Sequence, residues 1–570
     1  MQLKKMENRS DELTQSLINE GYNQLITRVL VNRGYDEEII SALLNTGYSE
    51  ELPDYNNITN IQTGADIIES HLANGSDVYI FGDYDSDGVN SAYILGDAIS
   101  NAIYVSDSES TINIKLPERH EGYGLNIKWC ENLVANRTKD TLVITVDNGI
   151  AQDKEVAYLL ENGIDVLITD HHTPNGHTPQ NVFIIDAHYN DDSIDNKGLC
   201  GAGVAFKLAM TLLERYDIEN FTELYYKYII HVAIATITDS MPMTLDNIKY
   251  VYNGLQLLKD GYGSEAINYY KEYNSNTDLT PKDIAFGLGP QINSCGRMNN
   301  TILALNYLFA TDEDIEDLYN EISQMNDKRK DKTKKAIEIA EEMIDLESET
   351  IILQLDDVEG IAGIIASNLS SKYRKCTIVF SQAGDVLIGS ARSDGYVDLL
   401  KTLKIIADSN DFILKVGGHA DACGITIKAD SLNKLRNNLE SILSAIPKIK
   451  HEPVSQEIIV DDYITLSDVT KKNCDALRSL YFFTESNPVF AINDVVITKV
   501  KYSGNNPNNV CFDLKDSTGT LQTWTWGIGD TYKLLKEPKQ VSLIAELDMK
   551  FGKPSLNIIS IIPKREIDIC

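Results

Sequence analysis

The sequence predicts an α/β protein of several domains, with a parallel sheet in its first half and a small β domain at its C-terminal end. Three observations carry this. Between about Val78 and Asp239, short apolar runs alternate with helical patterns, as in an open α/β sheet. The alternation resumes from Thr350 to about Ile446. From about Glu457 the apolar residues follow period two, as in antiparallel strands. A length of 570 residues gives about four domains at the usual domain size. With 43% hydrophobic and 24% charged residues, the chain is neither disordered nor collagen-like.

The first fifty residues read as helical, from the spacing of Leu25, Ile26, Val29 and Leu30, then Ile39, Ile40, Leu43 and Leu44. Val78–Phe81, Leu142–Val146, Val166–Thr169 and Val182–Ile185 read as buried strands of the parallel kind. Tyr228–Thr238 reads as another buried strand. Residues 312–347 predict a long connecting helix. It is acidic at Asp312–Asp314 and basic from Lys328 to Lys335, with an apolar stripe through Ile315, Leu318, Ile322 and Met325. Its charges read mostly as a solvated face. Val496–Val500, Val510–Leu514 and Thr523–Trp526 predict a small antiparallel domain, the size of an oligonucleotide-binding (OB) barrel. Trp524 and Trp526 share a strand face and are expected in a core or domain contact rather than stacked on bases. The expected domains are residues 1–55 (helical extension), 56–311 (first α/β domain), 312–347 (connecting helix), 348–450 (second α/β domain) and 451–570 (β domain).

No uncharged apolar run approaches the roughly 20 residues of a membrane helix. The start, Met-Gln-Leu-Lys-Lys-Met-Glu, lacks the apolar core of a signal peptide. A cytoplasmic protein with no membrane partner is expected. The eight cysteines are dispersed, without a Cys-x-x-Cys pair, and read as reduced thiols. Lys plus Arg total 51 against 85 Asp plus Glu, a net charge of −34. That charge repels nucleic acid at long range and argues against a protein that coats DNA by general electrostatics. It leaves room for a nucleic-acid substrate in a cleft where metal ions and a basic groove reverse the local field.

The strongest signal is a set of acids and histidines placed just after apolar runs. Asp83, Asp85 and Asp87 follow Phe81 in Gly82-Asp-Tyr-Asp-Ser-Asp-Gly88. Asp147 follows Leu142–Val146, Asp170-His171-His172 follows Val166–Thr169, and Asp239 follows Val232–Thr238. The C-terminal ends of parallel strands converge on one rim, where ligands bind. A lone Asp there is commonly a turn residue. A calcium loop from Asp83 is unsupported, because its twelfth position is Ile94 rather than Glu. Four such positions, one of them Asp-His-His, point away from turns. So many carboxylates at one place repel each other, and a pair of divalent ions removes that repulsion. Oxygen-rich sites with one or two His suit Mn²⁺ or Mg²⁺ better than Zn²⁺. A bridging carboxylate can hold two such ions about 3.5–4 Å apart, ready to activate water and neutralise a phosphate.

Asp83-Tyr-Asp-Ser-Asp-Gly88, Asp147-Asn-Gly149, Asp170-His-His172 and Asp239 resemble the four motifs of the DHH phosphoesterase superfamily. The resemblance extends to its RecJ-like single-stranded-DNA-specific exonucleases. Val31-Asn-Arg-Gly34, Glu121-Gly-Tyr-Gly-Leu125, Gly201-Ala-Gly-Val-Ala-Phe206 and Gly289-Pro-Gln-Ile-Asn-Ser-Cys-Gly-Arg-Met298 carry it. Glu359-Gly-Ile-Ala-Gly-Ile-Ile-Ala-Ser367, Gly389-Ser-Ala-Arg-Ser393 and Gly417-Gly-His-Ala-Asp-Ala-Cys-Gly424 are similar to that family's DHH-associated domain.

The resemblance implies a 5′-to-3′ exonuclease that degrades single-stranded DNA to mononucleotides in repair, recombination or replication. It implies two Mn²⁺ or Mg²⁺ ions, and partners such as a helicase or single-strand binding protein. One ion would take Asp85 and Asp147, the other Asp87, Asp147, His171 and Asp239, with Asp83 beside them. His172 would face the scissile phosphate, and Asp170 would orient a histidine. Ser390, Arg392, His419 and Arg297 would grip phosphates, and Arg119 and Tyr123 would seat the 5′ end. The spacing of Arg119 and Tyr123 is one residue shorter than the family pattern, and Asp186-Ala-His188 replaces Asn-Pro-Asn. The alternatives are a phosphoesterase for short oligonucleotides or nucleoside bisphosphates, and a non-catalytic replication scaffold.

Overall fold

The computed structural model describes residues 2–564 apart from 7–8, 45–51, 175, 275–278, 396, 446–456, 481–486 and 505. Cys570 and the expected boundary at residue 450 lie outside the described residues. The other seven cysteines are free and buried. No helix among the described residues is long and apolar enough to cross a membrane.

The chain opens on a short strand, β1 (Gln2–Lys5), where only helices are expected, followed by helices α1 (Asp11–Asn19), α2 (Gln24–Arg33) and α3 (Glu37–Leu44). Then come β2 (Asp77–Phe81), α4 (Ser86–Ser106), β3 (Thr111–Lys115), β4 (Thr141–Val146), β5 (Asp165–Thr169) and β6 (Phe183–Ile185). The five strands form a parallel sheet in the order β3-β2-β4-β5-β6. Central β4 is buried at all six positions, which is why it reads as an unbroken apolar run. Strand β3 is an edge with alternating burial, and its mixed Thr-Ile-Asn-Ile-Lys gives no such run.

Helices α5 (Gly201–Leu213) and α6 (Phe221–Thr238) pack against α4. Tyr228–Thr238 is thus helix rather than the expected strand. Every residue from Tyr228 to Ile237 is buried, so the segment has no polar face to reveal its 3.6 period, and an apolar run of that kind is ambiguous. Within this pack His231 of α6 is fully buried and shares a 2.7 Å hydrogen bond with Asn90 of α4. Burial, helped by the Lys227 charge, holds its imidazole down at about 3.

After α7 (Gly289–Arg297) comes α8 (Ile315–Glu342), the long helix expected from the sequence. Its first half, through Ile315, Tyr319 and Ile322, joins the core of the first domain. Its last turns, through Ala336 and Ala340, join the core of the second. The basic centre lies between the two cores.

The second domain holds β7 (Thr350–Gln354), α9 (Ala362–Tyr373), β8 (Cys376–Ala383), β9 (Val386–Arg392), β10 (Ile413–Gly418) and β11 (Ala422–Lys428). The sheet order is β10-β11-β9-β8-β7, with only β7 and β8 parallel. The third comprises β12 (Glu457–Val460), β13 (Asp462–Tyr463), β14 (Phe490–Tyr502), β15 (Val510–Lys515), β16 (Thr520–Thr525), β17 (Gln540–Lys550) and β18 (Lys553–Pro563). Apart from β12, these form an antiparallel sheet with one parallel pair, β13 with β14. Hydroxyls of Thr523 and Thr525 accept from the Leu556 and Ile558 N–H groups and draw β16 to β18. Trp524 and Trp526 stack on each other at 5.9 Å, with Trp526 at 47% exposure. They lie outside the core, because β16 turns its threonines inward.

The third domain is tied back to the N-terminus. Strand β1 pairs in parallel with β12. Arg33 grips Asp461 with two bonds, of 2.5 and 2.9 Å, and Asn32 donates to the Asp461 carbonyl. Arg28 and Lys5 meet Asp462. Two of the four residues of Val31-Asn-Arg-Gly34 therefore serve domain docking.

Two outcomes follow. Arg33→Ala leaves Asp461 buried and uncompensated, and urea unfolding should show a loss of about 3–5 kcal/mol. His231 is neutral in the fold and protonates near 6.5 when unfolded, so the unfolded chain binds the extra proton between about pH 6.5 and 3. Its contribution is complete above pH 6.5 and falls with acidification, by about 2–3 kcal/mol at pH 4.5. His231→Gln should remove that share of the slope in urea midpoints measured against pH.

Candidate metal centre

The loop after β2 turns directly into α4. Asp85 caps the helix, accepting from the N–H groups of Asp87 and Gly88 at 3.0 and 3.1 Å. Asp87, in the first helical turn, points across to α5. Its two oxygens take the N–H groups of Gly201 (2.6 Å) and Ala202 (2.7 Å), the unfilled donors of that helix start. Asp147 follows β4 in the left-handed region, at φ 61°, a strained conformation for an aspartate. Asp170 and His171-His172 follow β5. Asp239 follows the C-terminus of α6, so three strand ends and one helix end supply the cluster, not four strand ends.

The ligand atoms of Asp83, Asp85 and Asp147 lie within 4.8 Å of one another, as do those of Asp87, His171 and Asp239. Burial, then mutual repulsion, pushes the carboxyls of Asp83 and Asp147 well above their ordinary range. The same two causes lift Asp87 to about 6 and Asp239 to about 8.

His171 shows what the cluster lacks. Burial, then the His172 charge, holds its ring down at about 3, so it is neutral. A hydrogen bond with the Leu199 backbone acts on the ring in the opposite sense without outweighing them. The His171 Nε2 lies 3.1 Å from Asp147 Oδ1 and 3.6 Å from Asp87 Oδ2. Being neutral, it makes no ion pair with them. Asp147 Oδ1 and Asp83 Oδ1 are buried without a hydrogen-bond partner. Lone pairs converging on lone pairs are a donor set for cations. Oxygens dominate it, which fits Mn²⁺ or Mg²⁺.

His172 is held differently. Its Nδ1 lies 2.7 Å from Asp170 Oδ1, and Asp170 also takes the N–H groups of Ile150, His171 and His172. Burial opposes the charged ring, but the hydrogen bond and charge of Asp170 outweigh it and lift the imidazole to about 9. Of the two histidines, Asp170 orients His172. Tyr123 donates to the Asp147 carbonyl at 3.1 Å and lies 3.3 Å from His172 Nδ1, while its ring edge stays at the surface. Arg119 lies over the Tyr84 ring, 4.3 Å from the centroid, and Tyr84 meets Tyr123 edge-on. Nothing in the sequence marks Tyr84. It falls inside the acidic motif but carries no charge to draw notice.

Ser390 and Arg392 share a face of β9 in the second domain. The first turn of α9 lies against them: a Cβ on Gly363 would fall 3.0 Å from Arg392 Nη2 and 3.5 Å from Ser390 Oγ. Arg297, at the end of α7, reaches the loop before α9 and donates to the Gly360 carbonyl at 3.3 Å. A Cβ on Gly360 would overlap the Arg297 carbonyl at 1.8 Å, so glycine there permits the two domains to meet. His419 is exposed in the turn between β10 and β11. Its backbone N–H reaches the Ala422 carbonyl, and among the described residues its ring joins none of these groups. Asp186, at the end of β6, is buried, and burial and the Asp170 charge lift it to about 7. Its oxygen takes the N–H of His188, whose charge is felt at His171.

Comparisons with known proteins follow the same order along the chain. Residues 77–236 match the DHH family, N-terminal domain; 349–445 match the DHHA1 domain; and 460–557 match the RecJ OB domain. The single-stranded-DNA-specific exonuclease RecJ of Bacillus subtilis (strain 168) is 26% identical over 501 residues, 86% of this chain and 61% of that protein. The chain thus spans about three fifths of that relative's length. The crystal structure of RecJ in complex with Mn²⁺ from Thermus thermophilus has the same fold, with TM-score 0.77 and 21% identity, over 99% of this chain and 79% of that one. A crystal structure of exonuclease RecJ bound to manganese is 25% identical, with TM-score 0.59, over 68% of this chain and 96% of that one. The chain thus carries, in this order, a DHH-family N-terminal domain, a DHHA1 domain and a RecJ OB domain, and is similar to RecJ proteins over most of its length.

Proposed function

We propose that this chain is a divalent-metal-dependent exonuclease that hydrolyses single-stranded DNA from the 5′ end to mononucleotides, in repair, recombination or replication. The observation that carries the proposal is the neutral His171 Nε2 set 3.1 Å from the unpartnered Asp147 Oδ1, beside the buried carboxylates of Asp83 and Asp87. The names of the relatives and the manganese in a RecJ structure support the substrate and the ion. The free, buried cysteines suit a reducing, cytoplasmic setting, where a helicase or single-strand binding protein would present the strand.

Asp85 and Asp147 would hold one ion, with Asp83 beside them; Asp87, Asp147, His171 and Asp239 would hold the other. When bound, such ions activate water at neutral pH and neutralise the charge growing on the phosphate. The protein's own groups do the rest. The α5 N–H groups fix Asp87, and the Leu199 backbone bonds His171. His172, protonated and braced by Asp170, offers its proton to the phosphate or leaving oxygen. Tyr123 holds the His172 ring in place. Arg119, Arg297, Ser390 and Arg392 supply donors for phosphate oxygens on the far wall. A terminal phosphate seated there, one nucleotide from the metal cluster, accounts for both direction and product size.

The deciding experiment is cleavage of end-labelled single strands, with and without a 5′ phosphate, in Mn²⁺, Mg²⁺ or chelator. Mononucleotides released from the 5′ end only with metal are expected. A dinucleotide cleaved faster by orders of magnitude would instead indicate a small-substrate phosphoesterase. Asp147→Ala should lose cleavage and also the rise in Tm that metal gives the wild type, while keeping its circular dichroism. His172→Gln should keep that rise and lower kcat by about 10²- to 10⁴-fold. Turnover retained in Asp147→Ala contradicts the ligand assignment.

A further inference from the structure

Arg119 and Arg297 lie close enough for their like charges to act on each other. Neither forms a salt bridge with a carboxylate among the described residues, and Arg119 Nε is buried without a hydrogen-bond partner. Guanidinium groups repel one another, so two of them stay on one cleft wall only if the segments that carry them are tied together. Those segments are far apart in sequence. Arg119 opens a single helical turn, Arg119–Glu121, in the loop after β3. Arg297 ends α7, and Thr301, four residues on, begins the helix Thr301–Leu308. In the turn between them, the Met298 and Asn300 N–H groups return to the Ser294 and Cys295 carbonyls, at 3.0 and 2.9 Å. Thr301 therefore moves with Arg297.

Glu118 joins the two segments. Its carboxylate oxygens accept from the Thr301 N–H at 3.1 and 3.3 Å. The Thr301 hydroxyl lies between the Pro117 carbonyl, at 3.1 Å, and Glu118 Oε2, at 3.2 Å. Asparagine is favoured for capping the helix that follows it, yet Asn300 makes no side-chain cap bond to this one. The cap comes instead from Glu118, 183 residues away in sequence, and a carboxylate suits the positive end of the helix dipole. A second carboxylate fixes the loop from its other side. Glu121 accepts from the Glu118 N–H at 2.8 Å and from Lys115 Nζ, at the end of β3, at 2.8 Å. The Arg119 turn is thus tied at once to the sheet and to the helix that follows Arg297.

We propose that Glu118 is a positioning residue: its clamp on Thr301 holds Arg119 in register with Arg297, so that the two guanidinium groups present one paired set of donors to the terminal phosphate of the strand. Resting on the exonuclease reading above, the assignment deepens it. Discrimination between a 5′-phosphate and a 5′-hydroxyl end is set by the Glu118–Thr301 clamp as well as by the arginines. Glu118 acts through Arg119, because its own carboxylate is occupied at the helix start. The arginine fork binds phosphate oxygens only where its planar donors meet them, and a displacement of about 1 Å in a group of this kind can cost 10²-fold.

The test is steady-state cleavage of one single strand carrying either a 5′ phosphate or a 5′ hydroxyl, with kcat and KM measured for each. The wild type should prefer the phosphate in kcat/KM. Glu118→Ala should reduce that preference by about tenfold, through KM for the phosphorylated strand, with kcat kept within about twofold. A loss of folded enzyme would instead lower kcat on both strands alike and leave the preference unchanged. Glu118→Gln keeps an oxygen for the Thr301 N–H and should restore most of the preference. Arg119→Gln should lose most of it, and Glu118→Ala added to Arg119→Gln should cost little more, as expected of residues that act as a unit. If Glu118→Ala loses its circular dichroism, Thr301→Ala keeps the N–H, removes only the hydroxyl, and should still reduce the preference by about threefold. An unchanged preference in the Glu118 and Thr301 variants, or an equal loss with and without Arg119, overturns the positioning role and leaves the exonuclease reading standing. So does a wild type that cleaves both strands equally well. A wild type that cleaves neither strand overturns both.

Discussion

The fold of the first domain is organised around an electrostatic conflict. Five carboxylates and a neutral imidazole converge, and burial makes the charges of Asp83, Asp87 and Asp147 harder to keep. Little in the polypeptide relieves this: the Arg119 charge acts on Asp83 but does not outweigh its burial. The backbone instead holds the conflict in place. Helix N-termini take Asp87 and are capped by Asp85, the Leu199 backbone bonds the His171 ring, and Asp147 sits in a strained left-handed conformation. Such preorganisation costs stability without cations and offsets it when they bind.

Adjacent histidines play opposite parts because their partners differ. His171 bonds the Leu199 backbone and lies among lone pairs, so it stays neutral. His172 bonds a carboxylate that is itself held by three N–H groups, so it keeps its proton. One dipeptide therefore presents a neutral ring and a protonated one side by side. The opposite wall inverts the charge, with guanidinium groups that lack acidic partners among the described residues. The field inside the cleft thus differs locally from that of the strongly acidic chain as a whole.

The three domains are joined in two ways. Helix α8 belongs to two cores at once, so the width of the cleft is set by a rigid rod rather than a flexible linker. The third domain reaches the first through α1–α3 and the Arg33–Asp461 fork. Within Val31-Asn-Arg-Gly34, Asn32 and Arg33 serve to dock the third domain.

The acidic motifs, the alternation of strands and helices, the long helix and the three-domain order were legible along the chain, because strand ends place their next residues on one rim and periodicity follows local geometry. Tyr228–Thr238 was not, because a helix buried on all sides erases its own period. Neither were the role of Tyr84, the pairing of Asp170 with His172 rather than His171, nor the exposure of Trp526 and His419. These depend on which atoms meet across long separations in sequence. Amino-acid order alone determined which groups arrive at the cleft. Only the tertiary structure decided their protonation and their neighbours, because both are set by burial and by distances that no local pattern encodes.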